Sequence, residues 1–157
     1  MTEPGDGMTG EGNDGLRRSP IHLLHRAGQC AAEVFQGAMS GTVTPRQLAV
    51  LVTVADNEGL SQTGVVERTG IDRSTLADIV RRVAKRGLIQ RRRSREDARA
   101  YVLKLTEEGE RTLKAAEPLA RRVDARVLNA LPGGRREEFM VSLRAIVSVL
   151  EKMAPDK

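Results

Sequence analysis

Two short helical patterns meeting at one tight turn constrain this chain more than any other feature. Ser61 can cap a short helix carrying Val65 and Val66, which runs into Thr69-Gly70-Ile71. Asp72 then opens a second helix, residues 73 to about 86, with Leu76, Ile79, Val80 and Val83 on one face. Serine and aspartate suit these starts because their side-chain oxygens accept from N–H groups that have no partner in a helix's first turn. Gly70 stands where a tight turn between helices needs a residue free of Cβ strain. This is the grammar of a helix-turn-helix.

The flanks extend the pattern. Upstream, Thr44 precedes Pro45, a cap followed by proline in the first turn, and Leu48, Leu51, Val52 and Ala55 form an apolar stripe that stops near Asn57 to Gly59. Downstream, Gly87 ends the second helix, and Leu88-Ile89 begins a strand that runs into Arg91-Arg92-Arg93. A polar turn over 94–98 leads to Tyr101-Val102-Leu103-Lys104-Leu105, whose alternation and β-formers read as the returning strand. The two strands make a wing with an arginine-rich tip. Thr106 caps a long helix that opens on Glu107 and Glu108, acids placed at its positive end. Pro118 inside that helix is expected to bend it or split it in two. Pro132-Gly133-Gly134 makes a turn before a last helix carrying Phe139, Leu143, Ile146, Val147 and Leu150.

Residues 1–19 hold five glycines among polar residues and read as a disordered tail. Residues 20–41 read as an amphipathic helix with Ile21, Leu24, Ala31, Phe35 and Met39 at helical spacing. The expected fold is therefore mainly α with a small β wing: a tail at 1–19, a dimerisation helix at 20–41, a winged helix-turn-helix at 44–105 and C-terminal dimerisation helices at 106–153. Dimerisation is expected because Phe35, Leu113, Val123, Val127, Phe139, Leu143 and Leu150 need more partner surface than one winged module offers.

The net charge is +5 over 157 residues, but it is unevenly placed. Residues 81–99 hold nine basic side chains against Glu96 and Asp97, a local charge of +7 on a body that is otherwise slightly acidic. Such a strip suits double-stranded DNA, whose phosphates release counterions when neutralised. In a helix-turn-helix the second helix enters the major groove with its N-terminal residues at base edges, here Arg73, Ser74, Thr75 and Ala77, with Arg81 one turn further on. Arg73 suits bidentate reading of guanine, and Gln62 and Thr63 suit phosphate contact. Ser74 and Thr75 have a competing use as capping hydroxyls. In the wing, Asp97 stands two residues before Arg99 and can brace its guanidinium for a narrow minor groove, with Arg95 beside it; an ordinary exposed ion pair is the alternative.

Other chemistry is thinly represented. Cys30 alone excludes an internal disulfide, and its default reading is a buried structural thiol. His22 and His25 are too few for a metal site, and no cofactor is implied. No phosphate-cradling glycine loop or nucleophile elbow is present, which argues against an enzyme. With no signal-peptide pattern and no apolar run approaching about 20 residues, a cytoplasmic protein without a membrane partner is expected.

Leu60-Ser61-Gln62-Thr63, Thr69-Gly70-Ile71-Asp72-Arg73-Ser74-Thr75-Leu76, Lys85-Arg86-Gly87-Leu88-Ile89 and the run from Asp97-Ala98-Arg99 through Leu105-Thr106 resemble the MarR family of winged helix-turn-helix regulators over about residues 20–153. Gly64 departs from the larger polar residue common at that position. The resemblance implies a homodimer with interlocked terminal helices that represses transcription and is released from DNA by a small molecule or an oxidant. Residues 70–82 and 91–101 are also similar to a branch controlling breakdown of aromatic and N-heterocyclic acids. Family effectors enter a cleft where the first and the long helix meet the DNA-binding lobe. That places His22, His25, Arg26, Gln29 and Arg46 as candidates to hold a small aromatic or heteroaromatic acid, or its thioester, with the ring on Leu24, Leu48 or Val52. The same side chains also suit solvent or a dimer interface. A non-sensing architectural DNA binder and a repressor that senses oxidants through Cys30 are the alternatives.

Overall fold

The computed structural model describes residues 14–94, 97 and 100–154. Its helices are α1 (Asp14–Arg17), α2 (Pro20–Met39), α3 (Pro45–Asp56), α4 (Gln62–Thr69), α5 (Arg73–Lys85), α6 (Glu107–Asn129) and α7 (Arg136–Met153), with a short 3₁₀ turn at Gly133–Arg135. Strands β1 (Ile89–Arg93) and β2 (Tyr101–Leu105) lie between α5 and α6. They pair antiparallel with Ile89 opposite Leu105 and Arg93 opposite Tyr101. Leu60 lends the hairpin a further bond, its carbonyl accepting from Leu103 N–H at 2.9 Å, and Ser61 bridges Val102. The α3–α4 connection thus lies along the wing.

The helix starts follow from their caps. Thr44 accepts from Gln47 N–H at 3.2 Å while the Gln47 side chain accepts from Thr44 N–H at 3.1 Å, a reciprocal capping box. Ser61 accepts from Gly64 N–H, and Asp72 from Thr75 N–H at 2.9 Å. Gly70, at φ +66°, makes the turn between α4 and α5, and Gly87, at φ +74°, ends α5's exit. A side chain at Gly64 would meet Leu60 Cδ1 at 2.5 Å, so a larger residue there requires the Leu60 side chain to shift.

The core is a single apolar cluster. Leu48, Val50, Leu51 and Val54 of α3, Val65 of α4 and Leu76, Ile79, Val80 and Val83 of α5 meet Leu88, Ile89, Leu103 and Leu105 of the wing. Phe35 and Met39 of α2 and Leu113 and Ala116 of α6 join the same cluster. Phe35, Leu113 and Val123 are therefore covered within one chain, contrary to the expectation that they need a second copy, because α2 packs against α6. Helix α7 is different: none of its residues is buried, and Phe139, Val141, Ile146, Val147, Val149, Leu150 and Met153 remain exposed.

Three further expectations change. The stretch Asp14–Arg17 forms a helical turn, closed by Ser19 N–H donating to the Leu16 carbonyl at 3.2 Å, where a tail was expected; residues 1–13 lie outside the described residues. Of the two outcomes expected at Pro118, the split does not occur: α6 runs as one α-helix over 23 residues, because proline removes only one backbone donor. Cys30 is exposed in the chain rather than buried, since α2 turns its Phe35 and Met39 inward and leaves Cys30 outside. Among the described residues no helix is long and apolar enough to cross a membrane.

The joint between α5's exit and α6 is made of backbone groups and the Thr106 hydroxyl. Thr106 accepts from Gly109 N–H at 3.0 Å, its hydroxyl donates to the Gly87 carbonyl, and its own N–H donates to the Leu88 carbonyl at 3.1 Å. Gly109 is buried, and a Cβ there would overlap the Leu88 carbonyl. Alanine ordinarily improves a helix interior by about 0.5–1 kcal/mol over glycine. Gly109→Ala is expected to do the reverse and lower stability by about 1–3 kcal/mol through overpacking against backbone, read by urea denaturation. An unchanged or raised midpoint would show that the close approach is not tight.

Candidate nucleic-acid interface

The exposed side of α5 carries Arg73, Ser74, Ala77, Asp78 and Arg81, the opposite side from its buried Leu76, Ile79, Val80 and Val83. Asp72 organises the start. One of its carboxylate oxygens accepts both from Thr75 N–H at 2.9 Å and from the Ser74 hydroxyl at 2.8 Å. Ser74 is thus held in the cap, the competing use foreseen for it, although its side chain stays exposed. Thr75 is half-buried, while Arg73 and Ala77 are open to solvent.

Helix α4 presents Gln62 and Thr63 near its N-terminus. Thr63 is exposed, but the Gln62 amide oxygen accepts from Arg91 Nη2 at 2.9 Å, across 29 residues of sequence. Gln62 therefore ties the wing strand to the helix-turn-helix. Arg91 lines a shallow concavity together with Ser74, Ala77, Asp78, Val80, Arg81 and Ala84, so β1 and α5 share one surface. In sequence Arg91 is one of a run of wing arginines, with nothing to place it at the site. A strand's facing depends on register with its partner, which a basic run does not announce.

Asp78 is the one acid of α5. It pairs with Arg81 through one oxygen and with Arg82 Nε through the other at 2.7 Å. Hydrogen bonding from Arg81, with the Arg82 charge adding to it against some burial, holds the Asp78 carboxyl below the usual carboxylate range. At the far end of α5, Arg86 donates to the Thr42 carbonyl at 2.7 Å and so ties the helix exit to the α2–α3 connection. On the wing, the Arg93 guanidinium lies 5.5 Å from the centre of the Tyr101 ring. Arg95 and Arg99 lie outside the described residues, and so does the bracing of Arg99 by Asp97.

None of the candidate effector residues lines either of the two open concavities described for the chain. His22 is half-buried, with its backbone N–H donating to the Ser19 hydroxyl in the helix cap, while His25, Arg26, Gln29 and Arg46 are exposed. Leu24 and Val52 are half-buried, and Leu48 is buried. A separate open groove of about 390 Å³ runs between the end of α3, β2 and the start of α6, lined by Val54, Glu58, Lys104, Leu113, Lys114 and Glu117 among others. The described residues include no group of three or more metal-ligating side chains.

Asp72→Ala removes the cap of α5 and releases the Ser74 hydroxyl. The loss is expected to be about 1 kcal/mol, within the range of 0.5–2 kcal/mol for such caps, and Asp72→Asn should recover most of it in the same urea series. Equal losses for the two variants would contradict the capping role.

A profile of the MarR family matches residues 42–100, the span from the α2–α3 connection to the wing. The transcriptional regulator HosA of Escherichia coli is 32% identical over 133 residues, a match covering 85% of this chain and 98% of HosA. The PcaV transcriptional regulator of Streptomyces coelicolor, solved with its natural ligand, superposes with a TM-score of 0.80 at 32% identity, over 85% of this chain and 94% of PcaV. The transcriptional repressor CouR, solved on a 23-mer DNA duplex, superposes at 0.79 with 29% identity, over 88% of this chain and 99% of CouR. CouR is also solved with p-coumaroyl-CoA, where the TM-score is 0.75 at 28% identity, over 88% of this chain and 96% of CouR. With a relative matched over nearly its whole length and the helix-turn-helix, wing and long helices in common, this chain belongs to the MarR family of transcription regulators.

Proposed function

We propose that this protein is a ligand-released repressor that grips a near-palindromic operator as a homodimer, with one winged helix-turn-helix per subunit. The observation that carries the reading is the surface of α5, a capped helix whose exposed side is arginine-rich and continuous with an arginine-rich strand. It is supported by the likeness to CouR, which is solved on duplex DNA.

In this reading α5 lies in the major groove. Arg73 reads a guanine edge, Ala77 lets the helix approach closely, and Thr75 and Arg81 contact bases or phosphate. Thr63 contacts the backbone, and Gln62 acts through Arg91. Arg95 and Arg99 enter the flanking minor groove, with Asp97 bracing Arg99. The second copy covers α7, whose apolar side chains have no cover in one chain, together with Ile21, Leu23 and Val34 of α2 and Val127 of α6. Segments 20–41 and 106–153 then serve both as core and as dimer interface.

The effector in this reading is a small aromatic or heteroaromatic acid, or its thioester, held by His22, His25, Arg26, Gln29 and Arg46. The p-coumaroyl-CoA bound by CouR is an aromatic thioester of this kind. A cationic, hydrogen-bonding side of α2 suits a carboxylate or thioester carbonyl, and Leu24 and Val52 offer the ring a surface. Tenfold release from DNA needs about 1.4 kcal/mol of differential binding between the two dimer geometries.

Two measurements test these roles. Sedimentation equilibrium at micromolar concentration should show a dimer, and Arg73→Ala should lose about 1–3 kcal/mol of operator affinity and relax one base position, whereas Arg99→Ala should weaken binding with little change in base preference. A stable monomer, or two variants that bind every operator like wild type, would contradict the assignment. For the effector, calorimetry with hydroxybenzoates, hydroxynicotinates, hydroxycinnamates and their thioesters should find a binder whose affinity falls about tenfold or more in His22→Ala and Arg26→Ala. The site is wrong if no compound binds or if both substitutions leave binding intact.

A further inference from the structure

An acid on the DNA-facing side of α5 is out of keeping with its surroundings. Helix α5 carries Arg73, Arg81, Arg82 and Lys85, and its single carboxylate, Asp78, lies one turn past Ser74 and one turn before Arg81 on the exposed stripe. A partner with one charge per about 1.7 Å of helix axis repels it. The carboxylate is not idle, since each of its oxygens holds a different guanidinium. Arg81 and Arg82 are otherwise well exposed, at 77% and 68%, while Asp78 between them is 35% exposed. Without it, both arginines would be long, freely rotating cations.

We propose that Asp78 sets the sequence specificity of this protein: it positions Arg81 for base reading and repels phosphate from wrongly seated registers. The inference rests on the reading of α5 as the major-groove helix. The physical logic has two parts. An arginine reads guanine by two parallel N–H bonds of fixed geometry, and that requires the guanidinium plane to be held. Arg81 is anchored through Nη2 to Asp78 and keeps its remaining N–H donors for the groove, beside Ser74 and Ala77 on the shared concavity. A free arginine in the same place follows any nearby phosphate, because phosphate contacts carry no sequence information. The second part is charge. A carboxylate on the exposed side of α5 reduces attraction to every duplex alike, and only a duplex whose base edge engages the ordered Arg81 offsets that loss.

Pairing at i+3 and i+4 also gives a modest local benefit to the helix. If that were its whole role, removing the charge would leave DNA preference untouched. The ionised state needed for the proposal is the one the two guanidiniums favour.

The test uses the full-length protein, a duplex enriched from a randomised pool by the wild type, and a scrambled duplex of equal length and composition. Binding is followed by fluorescence anisotropy across a salt series for wild type, Asp78→Asn, Arg81→Ala and the double variant, with thermal melts confirming that each is folded. Asp78→Asn is nearly isosteric at a half-buried surface position. It should bind the scrambled duplex several-fold more tightly, with the slope of log K against log salt steeper by about one, as expected for one more phosphate neutralised. The ratio of enriched to scrambled affinity should fall about tenfold, the scale of one misread base pair. In the Arg81→Ala background the same substitution should change that ratio less than about twofold, because Asp78 then has no base-reading partner to position. A wild-type ratio in Asp78→Asn, or an equal weakening on both duplexes, overturns the proposal while leaving the DNA-binding role of α5 in place. If the wild type enriches no duplex from the pool, the reading of α5 falls and the role of Asp78 falls with it.

Discussion

The Thr106 side chain accepts from the first turn of α6 and donates to the Gly87 carbonyl, while its backbone N–H donates to the Leu88 carbonyl and Gly109 lies against the same peptide. These short contacts join the exit of α5, the root of the wing and the start of α6. Arg86 fastens the same exit to the α2–α3 connection through the Thr42 carbonyl. The direction of α6 is thereby coupled to that of α5 through backbone groups and the Thr106 hydroxyl rather than through long side chains. A repressor released by a ligand needs that property: a shift between the long helices of two subunits becomes a shift between their recognition helices, and the core, close-packed as protein interiors are, does not absorb it.

The polar surface follows a related principle, in which arginines facing outward are held by specific acceptors. Gln62 holds Arg91, Asp78 holds Arg81 and Arg82, and the Tyr101 ring lies against Arg93. Exposed ion pairs contribute little to folding stability, and in the proposed reading this order serves binding rather than the fold. Ordering the side chains beforehand reduces the entropy lost when they meet DNA. Stability comes instead from the apolar cluster beneath, which contains no buried charged side chain among the described residues. Helix α7 contributes almost nothing to that cluster within one chain, and its exposed valines, leucine, isoleucine and phenylalanine leave the fold incomplete until a second surface covers them.

Local chemistry made much of this legible in advance. Thr44, Ser61, Asp72 and Thr106 each cap the helix expected of them, because a cap involves residues only a few positions apart. Gly70 and Gly87 take the left-handed backbone that their places between elements require. The errors came from contacts between distant segments. Phe35, Leu113 and Val123 were assigned to a partner because nothing in sequence shows that α2 returns to lie on α6. Pro118 does not divide α6, since a single missing donor leaves the other backbone bonds of the helix in place. Gly109 drew no notice, since a glycine in a first helical turn has no visible reason until the Leu88 carbonyl is found against it. The site was legible in part: Arg73, Ala77 and Arg81 were placed on the exposed face by period alone, but the roles of Gln62, Arg91 and Asp78 depend on which side chain each one meets.

The central claim is that two copies of α5, held by a two-fold dimer, read successive major grooves on one face of a duplex. Hydroxyl-radical footprinting of the protein on its enriched duplex tests this most directly. The account predicts two protected patches related by two-fold symmetry, with centres about 10 base pairs apart, and flanking protection where the wings meet the minor groove. A single asymmetric patch, or uniform protection without a centre of symmetry, would contradict it.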